Sequence, residues 1–180
     1  MDTVKIEPTA LKGKVKAPPS KSFAHRAVIS AFLSGEECRI SNIKLSNDIA
    51  ATLSCIKSLG AKYDYDEKKR VAVISKCEDK LHKKVRLDCR ESGSTLRFFI
   101  PIALCFAENI EFCGEGRLMQ RPLKPYFDIF DQKGITYRQK KGVLSIKGKL
   151  KSGDFFIDGS VSSQFITGLL FAIGNMGGGK

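Results

Sequence analysis

The sequence has no tryptophan, two histidines, three methionines and six prolines in 180 residues. Without tryptophan, and with its aromatics mostly on apolar faces, it lacks the stacking platform of a single-strand nucleic-acid binder. His25 and His82 do not stand at metal-ligand spacing from the six cysteines at 38, 55, 77, 89, 105 and 113, and no two cysteines make a C-x-x-C pair. That excludes the usual zinc and dithiol patterns, so no metal site is expected. Cys55 and Cys105 sit in apolar segments, where cysteine packs as a small hydrophobe; a reducing cytosol suits such a chain. Long apolar runs are missing too. The longest, residues 98–107, is far short of a bilayer span. Met1 leads into Asp2 and Glu7 with no apolar run, so no signal peptide is expected.

Acidic residues are the scarcer charge: 19 against 31 basic, a net charge of +12. Much of the excess lies in runs such as 82–84, 138–141 and 147–151. Such runs read either as solvated turns and edge strands or as an electrostatic funnel for an anionic ligand. With 42% hydrophobic and 28% charged residues, the composition is that of a globular protein with one sizeable core or two small ones.

What the chain does have is one loop written three times. Ser20-Lys21-Ser22, Ser92-Gly93-Ser94 and Ser162-Ser163-Gln164 each follow a strand-like segment and precede a helix-like one. Small hydroxyl and glycine residues at a helix start leave backbone N–H groups free, and the helix dipole favours an anion there. Three such seats predict a ligand with several negative charges.

Apolar periodicity predicts helices over 21–33, 48–59, 95–105, 123–132 and 163–174. Pro101 predicts a kink or a late start in the third. Pro122 is placed at the first position of the fourth. Strand-like runs are 71–75, 85–88, 110–113, 143–146 and 154–157. The loops recur inside a longer repeat of loop, helix, strand, helix, strand, strand, over residues 15–77 and 85–148. A third unit opens near 153 and has a single helix before Met176-Gly177-Gly178-Gly179-Lys180, which reads as a flexible tail. A repeat cannot bury its face with half its elements missing, so the chain is expected to be part of a longer one.

Four segments concentrate ligand-binding chemistry. In the first, Lys21 and Arg26 supply charge and Ser22 shares a helix face with Arg26; a plain N-cap with surface cations reads equally from these residues. His25 reads as structural or peripheral. In the second, Gly93 permits close backbone approach, and Arg97 either clamps an anion or pairs with Glu91. In the third, Arg117 and Arg121 flank an apolar pair and suit bidentate carboxylate or phosphate binding; two solvated arginines before a helix are the plain alternative. In the fourth, Ser162, Ser163 and Gln164 offer neutral donors, or serve as a capping loop.

The run at 19–27 (Pro-Ser-Lys-Ser-x-x-x-Arg-Ala), that at 93–97 (Gly-Ser-Thr-Leu-Arg) and that at 159–165 (Gly-Ser-x-Ser-Ser-Gln-Phe) together resemble the 5-enolpyruvylshikimate-3-phosphate synthase family. The resemblance extends to about residue 173. It implies an α/β (α+β) fold of inverse-repeat units in two similar domains, three units each, with the active site between them. About two and a half units would be present here, an N-terminal portion. Residues 1–16 would be a strand region of the other domain, 17–176 the substrate-binding domain and 177–180 the tail. The implied reaction transfers the enolpyruvyl group of phosphoenolpyruvate to the 5-hydroxyl of shikimate 3-phosphate and releases phosphate, on the route to chorismate. By motif position, Lys21, Gly93 and Arg121 would contact phosphoenolpyruvate, and Lys21 would also take part in proton transfer. Lys21, Ser22, Arg26, Ser162, Ser163 and Gln164 would hold shikimate 3-phosphate. The resemblance implies a cytoplasmic monomer with no metal or organic cofactor and no nucleic-acid or membrane partner. Glyphosate would compete beside Gly93.

Two positions depart from the family pattern: Glu91, where many members have Asn, and Gln120, where many have an acid. Glu91 needs a partner, such as Arg90 or Arg97, to sit beside an anion. With the second domain's acids, arginines and lysines absent, this chain alone is expected to lack turnover. Two other readings compete: an enolpyruvyl transferase acting on a UDP-sugar, and a basic nucleic-acid-binding module.

Overall fold

The structure is a computed structural model and describes residues 3–5, 7–8, 10, 12–75 and 81–177. Cys77 lies outside them. Three serines start three helices. Ser20 accepts from the Phe23 N–H at 3.3 Å and opens α1 (Lys21–Leu33). Ser92 accepts from the Thr95 N–H at 3.2 Å and opens α3 (Gly93–Phe106). Ser162 accepts from the Gln164 N–H at 3.3 Å and opens α5 (Ser163–Asn175). Each cap satisfies one of the four orphan amides of its helix. Ser46 does the same for α2 (Asn47–Ser58).

α3 runs unbroken through Pro101, so the helix starts before the proline rather than at it. Proline removes the N–H that would bond the carbonyl four residues back, which is Arg97. The Tyr126 hydroxyl supplies the missing donor, 2.7 Å from the Arg97 carbonyl and 3.0 Å from that of Phe165. Tyr126 sits on α4 (Lys124–Lys133). One phenol therefore ties α4, α3 and α5 together. α4 carries Pro125 in its first turn, not Pro122. A single 3₁₀ turn (Leu118–Gln120) precedes it and delays the start.

The strands are β1 (Cys38–Ser41), β2 (Lys62–Asp66), β3 (Val71–Ser75), β4 (His82–Asp88), β5 (Ala107–Cys113), β6 (Thr136–Lys140) and β7 (Val143–Lys147). They form two sheets, β1-β3-β2 and β4-β5-β7-β6. All pairs are antiparallel except β4 with β5, which α3 connects. The first sheet repeats the β5-β7-β6 part of the second, so the two units inferred from sequence are two copies of one mixed α/β arrangement. In the second copy β4 adds in parallel at the β5 edge; before α1 the described residues contain no equivalent strand.

The run at 154–157 is not a strand. Its burial alternates, with Phe155 and Ile157 against the core and Phe156 76% exposed. The side-chain pattern is that of a one-sided strand, but no ladder partner lies beside it among the described residues.

One hydrophobic cluster joins both units. α3 is its axis, burying Leu96, Phe98, Phe99, Ile100, Ile102, Ala103 and Leu104. α5 lies directly on it at Gly168, where a Cβ would stand 2.5 Å from Tyr126 Oη and 2.6 Å from the Arg97 carbonyl.

Candidate functional site

The three loops marked in the sequence are the N-termini of α1, α3 and α5, and none of those first turns contains an acidic residue. Their free amides and dipole ends are left to an anion. Polar side chains tie the three termini to one another.

Lys21 is exposed, and its Nζ lies 2.6 Å from Asp48 Oδ2 in the first turn of α2. The contact holds the ammonium on one side of the loop. Ser22 is exposed and its carbonyl accepts from Arg26 Nη1 at 3.0 Å. Arg26 also reaches Thr167 Oγ1 on α5 at 3.5 Å and lies over the Phe98 ring at 5.2 Å. The spacing of four between Ser22 and Arg26 thus does place them together, and it links α1 to α5.

Gly93 is buried at the start of α3, and the Arg121 guanidinium lies against its backbone where a side chain would otherwise be. Pro122 restricts the backbone before it, and Arg121 is extended at φ −68° and ψ 143°. Arg97, one turn further along α3, does not pair with Glu91. Its Nη1 donates to Gln164 Oε1 at 2.8 Å, and Gln164 Nε2 donates to Ser94 Oγ at 2.9 Å. This bridge joins the second and third loops. Arg97 also covers the Phe165 ring at 5.0 Å. Burial, then the nearby Arg121 charge, lower its pKa. Its Nε is buried without a partner among the described residues.

Ser162 is half-buried as a cap; Ser163 is exposed, and its carbonyl accepts from Thr167 Oγ1 at 3.0 Å. Arg117 is exposed before the 3₁₀ turn, whose Leu118 and Met119 are buried. Glu91 has neither Arg90 nor Arg97 as an ion-pair partner; its carboxylate rests beside Gly116, 2.7 Å from where a Cβ would be.

Among the described residues, Arg26, Arg97 and Arg121 have no carboxylate partner. Three unneutralised guanidiniums beside three amide-lined helix ends make a site short of negative charge. Phosphate and carboxylate oxygens are the groups that match it.

Sequence reasoning missed Asp48, Thr52 and Tyr126. Asp48 carried a signal, being the acid in an N-capped first turn; Tyr126 and Thr52 did not, since their partners are far apart in sequence. The basic runs lie elsewhere. Lys84, Arg138 and Lys147 line a groove of about 410 Å³ on the outer face of the four-stranded sheet, floored by Asn109, Glu111 and Ser145. Lys84 pairs there with Glu111 at 2.9 Å, as in a solvated sheet face.

Known proteins resemble this chain in sequence and in fold. A sequence model described as EPSP synthase (3-phosphoshikimate 1-carboxyvinyltransferase) matches residues 6–180. The 3-phosphoshikimate 1-carboxyvinyltransferase of Clostridium acetobutylicum is 49% identical, over 96% of this chain and 41% of its own length. That of Clostridioides difficile is 45% identical, over 96% of this chain and 42% of its own. The structure of EPSP synthase from Acinetobacter baumannii superposes with a TM-score of 0.69 at 21% identity, covering 91% of this chain and 39% of that one; that likeness concerns the fold. The chain thus spans well under half the length of the curated relatives it matches, and it belongs to the EPSP synthase family.

Proposed function

We propose that this chain forms one wall of an enolpyruvyl transferase site that takes shikimate 3-phosphate and phosphoenolpyruvate. The observation that supports this reading is the convergence of three acid-free helix N-termini with Arg26, Arg97 and Arg121, which have no carboxylate partner among the described residues. Both substrates carry a phosphate and a carboxylate, so helix ends and guanidiniums are suited to bind them.

In this reading Lys21, Gly93 and Arg121 face phosphoenolpyruvate. Lys21, Ser22, Arg26, Ser162, Ser163 and Gln164 face shikimate 3-phosphate. Gln164 is already oriented by Arg97 and Ser94, and Lys21 by Asp48, which lowers the entropic cost of ordering them. The 5-hydroxyl loses its proton and adds to C2 of the enolpyruvyl group as C3 gains a proton; the tetrahedral adduct then loses a proton from C3 as it expels phosphate, which restores the double bond. Lys21 is the group of this chain assigned to proton transfer. Holding both substrates in register makes the addition effectively unimolecular.

The facing wall belongs to a second domain, to which we assign residues 1–16; the described ones are all exposed. Taken alone, these 180 residues bind shikimate 3-phosphate weakly, with Kd on the order of 1 mM, and do not turn over. Glyphosate competes at the Gly93 and Arg121 side. We place the protein in the cytoplasm as a monomer, without cofactor, nucleic-acid or membrane partner.

A titration of the ¹⁵N-labelled chain tests the reading. Shikimate 3-phosphate should shift the amides of Ser22, Ser163 and Gln164, and a UDP-sugar should not. Equal or stronger shifts with the UDP-sugar would contradict it.

A further inference from the structure

Among the described residues, and Tyr126 apart, four polar side chains are buried, and all four belong to one chain: His25, Thr52, Thr95 and Ser92. His25 Nδ1 lies 2.7 Å from Thr52 Oγ1. Thr52 Oγ1 lies 2.8 Å from Thr95 Oγ1, which donates to Ser92 Oγ at 2.7 Å. A core of apolar residues with the same volumes would be as stable, because a satisfied buried hydrogen bond contributes little net. The polar chain therefore asks for a reason other than stability.

Its ends supply one. His25 adjoins Arg26 and lies one turn from Lys21. Ser92 caps α3 and adjoins Gly93. The middle lies against Asp48: its carbonyl oxygen is 3.3 Å from Thr52 Oγ1 and 3.4 Å from Thr95 Oγ1, while its carboxylate holds Lys21. Both anion loops are thus fixed to α2 through a single residue and its hydroxyl neighbours. Each hydroxyl has one proton. Thr95 gives its proton to Ser92, and Thr52 Oγ1 lies 2.7 Å from His25 Nδ1 and 2.8 Å from Thr95 Oγ1. The His25 tautomer sets which way the Thr52 proton points, and His25 Nε2 has no partner among the described residues. Linked buried hydrogen bonds polarise one another and resist displacement of any member.

We propose that this relay sets the spacing between the Lys21 loop and the Gly93 loop, with Thr52 and Thr95 as positioning residues that themselves touch no ligand. The inference rests on the site reading above only where substrate affinity is the readout.

The test uses Thr95→Val, Thr52→Val and Thr52→Ser in the same chain. Thr95 makes no direct hydrogen bond to His25 among the described residues, so without ligand Thr95→Val should move the His25 Nδ1 resonance through Thr52, and more than the Nε2 resonance on the side that faces no partner. In the second arm, Thr52→Val should weaken shikimate 3-phosphate binding about tenfold, the equivalent of one net buried hydrogen bond. Thr52→Ser should restore it. Unmoved His25 resonances in Thr95→Val would overturn the relay. So would wild-type affinity in a destabilised Thr52→Val, which would reduce the chain to packing. If the wild type takes no shikimate 3-phosphate, the site reading fails and the His25 resonances still decide the relay.

Discussion

The guanidinium of Arg121 occupies the space a side chain at Gly93 would fill. The obstacle is the end of a flexible side chain, so Gly93→Ala should fold with less than about 1 kcal/mol lost, a change of the size helix interiors tolerate or welcome. The cost falls on the site, since Arg121 must swing away from the α3 terminus. Denaturant titration should show near wild-type stability, and phosphoenolpyruvate binding should weaken in parallel. A variant that unfolds would show that Gly93 serves packing instead.

Gly168 differs, because what surrounds it cannot move. A methyl there meets the Arg97 carbonyl and the Phe98 Cα, 3.1 Å away, as well as the Tyr126 hydroxyl. Gly168→Ala should cost about 1–3 kcal/mol by overpacking and loosen α5 from α3. Amide exchange in α5 should rise with the loss of stability measured by urea.

Tyr126→Phe removes the donor that stands in for the missing Pro101 N–H. An unsatisfied buried carbonyl costs about 1–3 kcal/mol. Pro101→Ala restores an N–H able to reach Arg97, so Tyr126→Phe should cost less in that background. A double-mutant cycle reads the coupling; additive losses would contradict it.

Burial first, with Lys21 and Arg26 helping and Asp48 opposing, lowers the pKa of His25 from 6.5 to about 4. The unfolded chain then binds a proton that the folded chain refuses between those values. Stability is full above pH 6.5 and falls as pH drops toward 4, by at most about 3 kcal/mol. His25→Gln should flatten that slope in urea titrations across the interval. Asp66, Glu111 and Asp158 are each held below the ordinary pKa by hydrogen bonds, so what they add is present above the ordinary carboxylate range and is lost as pH falls below it.

The helix starts were legible because each depends on a serine and the residues just after it. The repeat was legible because α2 and α4 end alike and lead into similar hairpins. Long-range polar contacts were not. Nothing local marks the Arg97 carbonyl as the acceptor Tyr126 serves, or Thr52 as the link between His25 and Thr95. Residues 154–157 misled for a related reason: alternation reports which side faces the core, whereas a strand also needs a neighbour. Local sequence leaves Arg97 open as a partner for Glu91 or an anion clamp; it does not pair with Glu91, and the Gln164 amide, brought near by α5, takes one of its guanidinium nitrogens.

Calorimetry with shikimate 3-phosphate tests the central claim most directly, on the wild-type chain and on Arg26→Ala combined with Ser163→Ala. Weak, saturable heat in the wild type, lost in the double variant with its fold intact, is the predicted result. No heat from the wild type, or equal heat from both, would contradict the assignment of these helix ends to that substrate.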